Sequence, residues 1–237
     1  MPTGTSIDVP PPGVSDAAAL LRLMQLVSPA LPVGAYAYSH GLEWAVEAGW
    51  IGGEADAEAW IRGLLQGPWT RLDIPVLGRL MEARAGGDDA ALERWADLLY
   101  SCRESAELRA EDRSMGQALG RLLADLGVAG AQRWATAPRS TFPAAWACAA
   151  VYWSIARTPA ACGLLWTYAE HQVAAAVKLV PLGQTAGQRI LARLADAIPA
   201  AAAAGLALDE ADIGAGAPGL ALASALHETQ YTRLFRS

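Results

Sequence analysis

The sequence predicts an all-α fold, a single helical domain of roughly nine to ten helices. Alanine is abundant while valine and isoleucine are sparse, a composition that favours helix over strand. Apolar residues recur with helical spacing along most of the chain, and no segment shows the alternation typical of a strand. Because 53% of the residues are hydrophobic and 18% are charged, the chain can bury a sizeable core, which excludes global disorder.

The first predicted helix shows the signals on which the others also rest. Leu20, Leu23, Met24 and Val27 occupy positions i, i+3, i+4 and i+7, after the cap candidates Ser15 and Asp16. The same reasoning predicts helices near residues 16–27, 40–49, 54–66, 70–85, 89–101, 104–126, 143–156, 160–179 and 185–203, with a short one at 218–226.

Later helices in this series are supported in the same way. The fifth, sixth and eighth show apolar stripes that begin at Leu92, Met115 and Trp166. The eighth is stopped by Pro181, which cannot continue a helix. We expect Pro75 to kink or break the fourth, because an interior proline removes a hydrogen bond and clashes with the preceding turn.

Composition divides the chain into three parts. Residues 1–15 contain three consecutive prolines and are predicted to be a flexible arm. Residues 16–204 form the helical domain, with 127–141 as an internal linker. Residues 205–237 begin with a Gly/Ala-rich linker and end in a C-terminal tail that we expect to be mobile.

Charge and targeting signals narrow the class of protein. The net charge is −6 and Lys178 is the only lysine, so a nucleic-acid-binding surface is not expected. The N-terminus lacks the basic and apolar regions of a signal peptide. The uncharged stretches 140–156 and 158–169 are better explained as core helices than as membrane spans. We therefore expect a cytoplasmic protein that binds no membrane.

Motifs for enzyme chemistry are missing from the sequence. A P-loop requires a lysine followed by Ser or Thr, whereas Lys178 precedes Leu179, so the chain is not itself a P-loop GTPase. No GxSxG nucleophile motif occurs. The sequence patterns therefore single out no catalytic residue.

Metal-binding signals are weak. The cysteines at 102, 148 and 162 form no CxxC pair and are predicted to be small buried apolar thiols. His40 with Glu43 at i, i+3, and His171 beside Glu170, are at most transient metal ligands. For each of these residues, a satisfied histidine in the core or on the surface is the favoured explanation.

Two segments carry polar patterns that an ordinary core or surface does not need. In residues 28–43, two prolines and a glycine bend a connector that presents Tyr36 and Tyr38. This segment is either a contact loop or a packed interhelical loop, with Ser39 as the cap of the next helix. Residues 104–113 carry charges of both signs, and the acid pair Glu107 and Glu111 is typical of a solvated helix face.

The third unusual segment is the tail, residues 227–237. It follows a Gly/Ala-rich linker, yet it carries Tyr231, Leu234, Phe235 and two arginines. Aromatic residues and arginines on a tethered segment are typical of partner docking. Docking of the tail back onto its own domain is the alternative.

Four strings in these regions resemble the urease accessory protein UreF family. They are SPALPVGAYAYSHGLEWAVEAGW at 28–50, ELRAEDRSMGQALGRLL at 107–123, AVKLVPLGQ at 176–184 and HETQYTRLFRS at 227–237. They occur in the order found in that family, and the resemblance covers roughly residues 18–237. Ala37 is a departure, because the family often has Ser between the two tyrosines.

The resemblance implies a non-enzymatic, homodimeric all-α chaperone and scaffold. It would bridge UreD (also called UreH) and the GTPase UreG, and assist GTP-dependent nickel insertion into apo-urease. The chain itself would hold no permanently bound cofactor, because GTP would be bound by UreG and nickel would pass through the assembly. Partner-binding roles are then expected for Tyr36, Tyr38, Ser39, His40, Glu43, Glu107, Arg109, Lys178, Gln184, His227, Glu228, Gln230, Tyr231, Arg233, Leu234, Phe235 and Arg236.

Three alternatives stay open on the sequence. The chain could activate UreG as a GTPase-activating protein, acting through an arginine or Lys178. It could carry nickel itself as a metallochaperone, which would require tight stoichiometric binding. It could also be an all-α enzyme unrelated to urease, which would make the motif matches accidental.

Overall fold

The computed structural model describes residues 16–237, and within that range the chain contains no β-strand. The all-α prediction is confirmed, and the 1–15 arm lies outside the described residues. The helices are α1 (Asp16–Leu26), α2 (Leu42–Glu47), α3 (Glu54–Leu64), α4 (Ile74–Gly86), α5 (Asp89–Ser101), α6 (Ala106–Asp125), α7 (Gln132–Thr136), α8 (Phe142–Tyr152), α9 (Arg157–Leu179), α10 (Gln184–Ala195), α11 (Ile198–Leu206) and α12 (Pro218–His227).

Helix α8 forms the centre of the core. Nearly all of its residues are buried, and Phe142 and Trp146 are its largest side chains. It packs against α4, α6 and α9, and its many alanines allow these neighbours to approach closely. The Trp146 indole N–H donates to the carbonyl of Ala160 at 3.1 Å, which satisfies the one polar atom of this buried ring.

Helix α6 meets α7 and the start of α8 through two glycines. A Cβ at Gly120 would lie 2.5 Å from the backbone nitrogen of Ala135. A Cβ at Gly116 would lie 2.6 Å from the carbonyl carbon of Thr141. Any larger residue would therefore separate the elements that enclose the core.

The predicted effect of Pro75 is wrong. Pro75 lies in the first turn of α4, where the missing N–H has no helical partner to lose. The helical path is instead disturbed in a π-helical segment, Leu65–Asp73, at Gly67, whose φ of −95° and ψ of −112° are non-helical. This segment delivers Asp73 to the interior, where the residue is fully buried.

Two other predicted boundaries also need correction. The single helix expected at 185–203 is two helices, α10 and α11, and the second starts with Pro199 in its first turn. The linker expected at 127–141 contains the short helix α7. The short C-terminal helix is confirmed as α12.

Helix α1 lies at the edge of the domain and packs mainly on α9. Its predicted apolar stripe is only partly buried, because Leu20 and Met24 remain more than half exposed. Among the residues that the structure describes, no helix is both long and apolar enough to cross a bilayer.

Candidate partner-docking face

The candidate partner-docking face is the surface where the loop before α2, helices α6 and α9 and the C-terminal tail meet. The loop makes a left-handed turn that shapes this face. His40 and Gly41 have φ of 56° and 77°, and a non-glycine residue such as His40 rarely adopts this conformation. At Gly41, a Cβ would lie 3.2 Å from the backbone nitrogen of Ser224 in α12. The glycine therefore permits both the turn and the close approach of α12. The prediction that Ser39 caps this helix needs correction, because the N-cap of α2 is Gly41, which has no side chain to cap with. Ser39 lies two residues earlier, and its Oγ accepts the N–H of Glu43 at 3.2 Å.

The tail packs along this loop through backbone hydrogen bonds. The N–H of Arg236 donates to the carbonyl of Ala37 at 2.8 Å, and the N–H of Ser39 donates to the Ser237 carbonyl at 2.7 Å. Phe235, the residue before these bonds, is buried, and its ring lies 5.5 Å from the Lys178 Nζ. The structure therefore shows the tail on its own domain, the alternative that the sequence left open.

Glu43 is the main anchor of the tail. One of its carboxylate oxygens accepts the N–H of Leu234 at 2.6 Å, and the other accepts the N–H of Phe235 at 2.9 Å. The second oxygen also lies 3.1 Å from Nε2 of His227. Glu43 is 7% exposed, so these contacts form away from water, where bonds to a charged acceptor are strong.

Two carboxylates of α6 hold the other side of the tail. Glu107 lies 2.7 Å from Nδ1 of His227 and accepts a hydrogen bond from Arg233 at 2.8 Å. Glu111 accepts from the Ser237 hydroxyl at 2.6 Å and pairs with His40 at 3.3 Å. Burial opposes the ionisation of Glu111, but its cationic and hydrogen-bonding neighbours outweigh burial and lower its pKa.

A buried ion network lies beneath this face. Arg103 donates two bonds to Asp73, at 3.1 and 2.7 Å, and one to Asp112 at 2.9 Å. The Tyr168 hydroxyl also donates to Asp73, at 3.0 Å. Burial raises the pKa of Asp112, whereas the two aspartates keep Arg103 charged by raising its pKa against burial.

A small cavity of about 40 Å³ separates this network from the loop. Pockets for small-molecule ligands have volumes of roughly 300–1,000 Å³, so this cavity has no room for an organic substrate. His171 lines it, and burial lowers the pKa of this imidazole to about 4, which leaves it neutral near pH 7.

An open groove runs along α9 beside the tail. It is lined by Tyr36, Glu170, Lys178 and Gln184, among others. The Tyr36 hydroxyl donates to Glu170 at 3.0 Å, and its ring meets the His171 ring edge-on at 4.9 Å. Burial and the nearby Glu170 carboxylate raise the pKa of Tyr36, so its phenol remains a neutral donor.

Comparison with known proteins identifies the family. The UreF family model matches residues 51–195. The urease accessory protein UreF of Alkalilimnicola ehrlichii is 52% identical, over 91% of this chain and 95% of that protein. The chain belongs to the UreF family. The UreF proteins of Azoarcus sp. and Klebsiella pneumoniae are 52% and 45% identical, over 92% and 94% of this chain.

The four strings that resemble UreF converge on this one face. The 28–50 string supplies the loop and Glu43, and the 107–123 string supplies Glu107 and Glu111. The 176–184 string supplies the groove, and the 227–237 string supplies the tail. Residues spread over most of a UreF chain therefore meet in one place.

Several predicted partner-binding residues lie inside the chain. Those that are buried by the tail or the loop are Tyr38, Ser39, Glu43, His227 and Phe235. Their roles in partner binding stay predictions, and the structure gives them contacts that shape the face. Glu228 caps α6 by accepting the N–H of Ala106 at 3.1 Å, and Arg109 donates to the carbonyl of Arg103 at 2.6 Å.

Other predicted residues do reach the surface. Tyr231 is fully exposed, and Leu234 is 67% exposed. The remaining exposed positions are Lys178, Gln184, Arg233 and Arg236, while Tyr36, His40, Glu107 and Gln230 are partly covered. The tail therefore has an inner side fixed to the domain and an outer side that faces solvent.

The proposed metal ligands do not form a preformed site. His40 pairs with Glu111, Glu43 with His227, and His171 with Tyr36. Across residues 16–237, no group of three or more His, Cys, Asp or Glu side chains is placed to hold a metal ion. A transient role in metal transfer stays a prediction.

Sequence reasoning missed four contributors to this face: Glu111, Ser237, Asp73 and Arg103. The acid pair Glu107 and Glu111 does not form the expected solvated helix face, because the tail covers both carboxylates. A detectable signal was the i, i+4 spacing of these acids together with arginines in the tail. No local pattern marks the pairing of Arg103 with Asp73.

Proposed function

We propose that this UreF protein is a non-enzymatic scaffold and chaperone for urease maturation. It bridges UreD (UreH) and the GTPase UreG, and it assists GTP-dependent nickel insertion into apo-urease. UreG binds the nucleotide, and nickel is cargo that passes through the assembly. The chain acts as a homodimer in the cytoplasm.

The observation that carries this proposal is the two-sided tail. Its inner side is fixed by Glu43, Glu107 and the loop, so the tail has a defined shape without a partner. Its outer side presents Tyr231 and Leu234, which together form an apolar contact of the kind that dominates protein interfaces. Preordering of the tail lowers the entropy lost on binding.

The groove along α9 supplies a second contact next to the tail. Lys178 is exposed at its edge, and Gln184 continues the same surface at the start of α10. We assign this groove to UreG and the outer side of the tail to UreD. Two neighbouring surfaces on one rigid face allow both partners to bind at once, which a bridge requires.

Co-purification with UreD and UreG tests this assignment. The variant Tyr231→Ala/Leu234→Ala removes apolar side chains from the outer side and leaves every bond to Glu43 and Glu107 in place. We expect it to lose UreD, because truncating a hot-spot residue of an interface, a class in which Tyr is enriched, costs about 2 kcal/mol or more. Light scattering then gives the mass of each complex.

A matched control removes an exposed apolar side chain elsewhere. Leu126, at the far end of α6, is 46% exposed and lies about 28 Å along the helix from Glu107. Leu126→Ala should bind both partners as the wild type does. Equal UreD binding by all three proteins would contradict the proposal. A large rise in GTP turnover by UreG on adding the chain would instead support a GTPase-activating role.

A further inference from the structure

The small cavity between the loop before α2 and the buried ion network has a size that suits water. Its volume is about 40 Å³. One water molecule needs about 10–15 Å³ of such space, together with two to four polar partners. The cavity therefore has room for about three water molecules, and the character of its lining decides whether water binds there.

Three side chains of the lining have polar atoms that make no hydrogen bond to the protein. The Tyr38 hydroxyl makes none to any residue in the range 16–237, although Tyr38 is only 9% exposed. The His171 ring makes none within that range either. Gln172 is 4% exposed and donates through Nε2 to the Ser39 carbonyl at 2.8 Å, but its Oε1 has no partner among the described residues.

Arg103 adds free donors from the ion network. Its guanidinium has five N–H groups, and three of them donate to Asp73 and Asp112. The other two have no acceptor in the part of the chain that the structure describes. Buried polar groups are nearly always hydrogen-bonded, either to protein or to ordered water. The lining of this cavity therefore requires a ligand that both donates and accepts hydrogen bonds.

The charges around the cavity favour water over an ion. An anion would meet the carboxylates of Asp73, Glu111 and Asp112, which all line the cavity. A metal cation would meet the free N–H groups of Arg103, which only donate. Water is uncharged, and it bonds to donors and acceptors alike.

We propose that this cavity is a structural water site that joins the partner-docking face to the buried ion network. Ordered water accepts from Arg103, donates to Oε1 of Gln172 and bonds to the Tyr38 hydroxyl. Tyr38 is then a positioning residue for the loop. This inference concerns the isolated chain and stands whether or not the assignment of surfaces to UreD and UreG holds.

Tyr38 lies between the two loop residues whose backbones bind the tail. The Ala37 carbonyl accepts from the N–H of Arg236, and the N–H of Ser39 donates to the Ser237 carbonyl. Water on the Tyr38 hydroxyl holds this segment from inside the domain. The water site therefore fixes the part of the loop on which the tail docks.

A high-resolution crystal structure of the full chain tests the site itself. We expect density for water within hydrogen-bond distance of both the Tyr38 hydroxyl and the Arg103 guanidinium, directly or through a second water. In Tyr38→Phe the water next to residue 38 should be lost, while the bonds of Arg103 to the aspartates stay. A wild-type cavity without water density, or water density that Tyr38→Phe leaves unchanged, would overturn the proposal.

Hydrogen exchange tests the effect of the water site on the docking face. The amides of Ser39 and Arg236 form the bonds between loop and tail, so their protection reports how well the loop is held. Tyr38→Phe keeps the ring and removes only the hydroxyl. We expect the protection of both amides to fall about fivefold, the effect of losing one hydrogen bond of average net strength.

The matched control is Tyr152→Phe, the same change at a tyrosine that is 47% exposed at the end of α8. It should leave the protection of the Ser39 and Arg236 amides as in the wild type. Unchanged protection in Tyr38→Phe, or an equal loss in the two variants, would overturn the role of the Tyr38 hydroxyl in holding the loop.

Discussion

Replacing Arg103 with methionine removes the charge that holds the buried network together. Arg103 makes three hydrogen bonds, at 2.7–3.1 Å, to Asp73 and Asp112, and neither aspartate reaches solvent appreciably. Removing one partner of a buried ion pair typically lowers the free energy of unfolding by about 3–5 kcal/mol, because the other partner is left as an uncompensated buried charge. For a domain of this size, this corresponds to a fall in Tm of roughly 6–20 °C.

The matched control is Arg139→Met, the same substitution at an exposed ion pair. Arg139 lies 3.4 Å from Asp97, and the two side chains are 56% and 53% exposed. Such pairs contribute about 0–1 kcal/mol. Urea denaturation and thermal melting of the two variants give the comparison.

The pH dependence distinguishes a charge effect from a packing effect. Burial already raises the pKa of Asp112, and Arg103 opposes that rise. In Arg103→Met the pKa of Asp112 is expected to rise further above the unfolded value, so the folded variant takes up a proton that the unfolded chain does not. Its stability deficit should therefore shrink as pH falls from 7 toward 5, by at most about 1.4 kcal/mol per pH unit and group. The reasoning would be refuted if Arg103→Met lost no more free energy of unfolding than Arg139→Met. It would also be refuted if the loss in Arg103→Met did not depend on pH.

Three other predictions concern packing, acid stability and partner binding. Gly120→Ala should destabilise the chain by about 1–3 kcal/mol, because its Cβ would lie 2.5 Å from the Ala135 nitrogen. Gly63→Ala in α3, with open space around it, should be neutral or stabilising by about 0.5–1 kcal/mol in the same denaturation assay. His171→Phe should reduce the loss of stability between pH 6.5 and about 4, because the folded chain excludes a proton that the unfolded chain binds in that window. If His171→Phe lost as much stability as the wild type over this pH range, the prediction would be contradicted. Lys178→Ala should change the stability of the isolated chain by about 1 kcal/mol or less, through its contact with the Phe235 ring, but should abolish co-purification of UreG. Retention of UreG would remove Lys178 from the proposed interface.

Most helices could be predicted because their signals are local. Apolar periodicity and terminal prolines marked the helices well, as in α9, whose last residue was predicted correctly. The split between α10 and α11 was missed although Pro199 marks it, because alanine-rich sequence on both sides favours a continuous helix. The π-helical segment around Gly67 depends on tertiary contacts, such as the close approach of Gly205 to Thr70, and has no sequence pattern of its own.

The candidate site was predictable in its composition but not in its arrangement. The loop, the tail and Lys178 stood out because their residue types are unusual for their surroundings. The pairing of Glu43 with residues 191 and 192 positions away follows from the fold and not from local spacing. The same holds for Glu107 and Glu111, whose spacing on an isolated helix indicates a solvated face.

Photo-crosslinking from the outer side of the tail tests the central claim most directly. A photoreactive phenylalanine analogue at Tyr231, which is fully exposed, should capture UreD when UreD and UreG are added. The same analogue at Leu126 should capture neither partner. Capture of UreD from position 231 alone is the result we predict. Equal capture from both positions, or none from position 231 in a mixture that still assembles, would contradict the assignment of this face to partner docking.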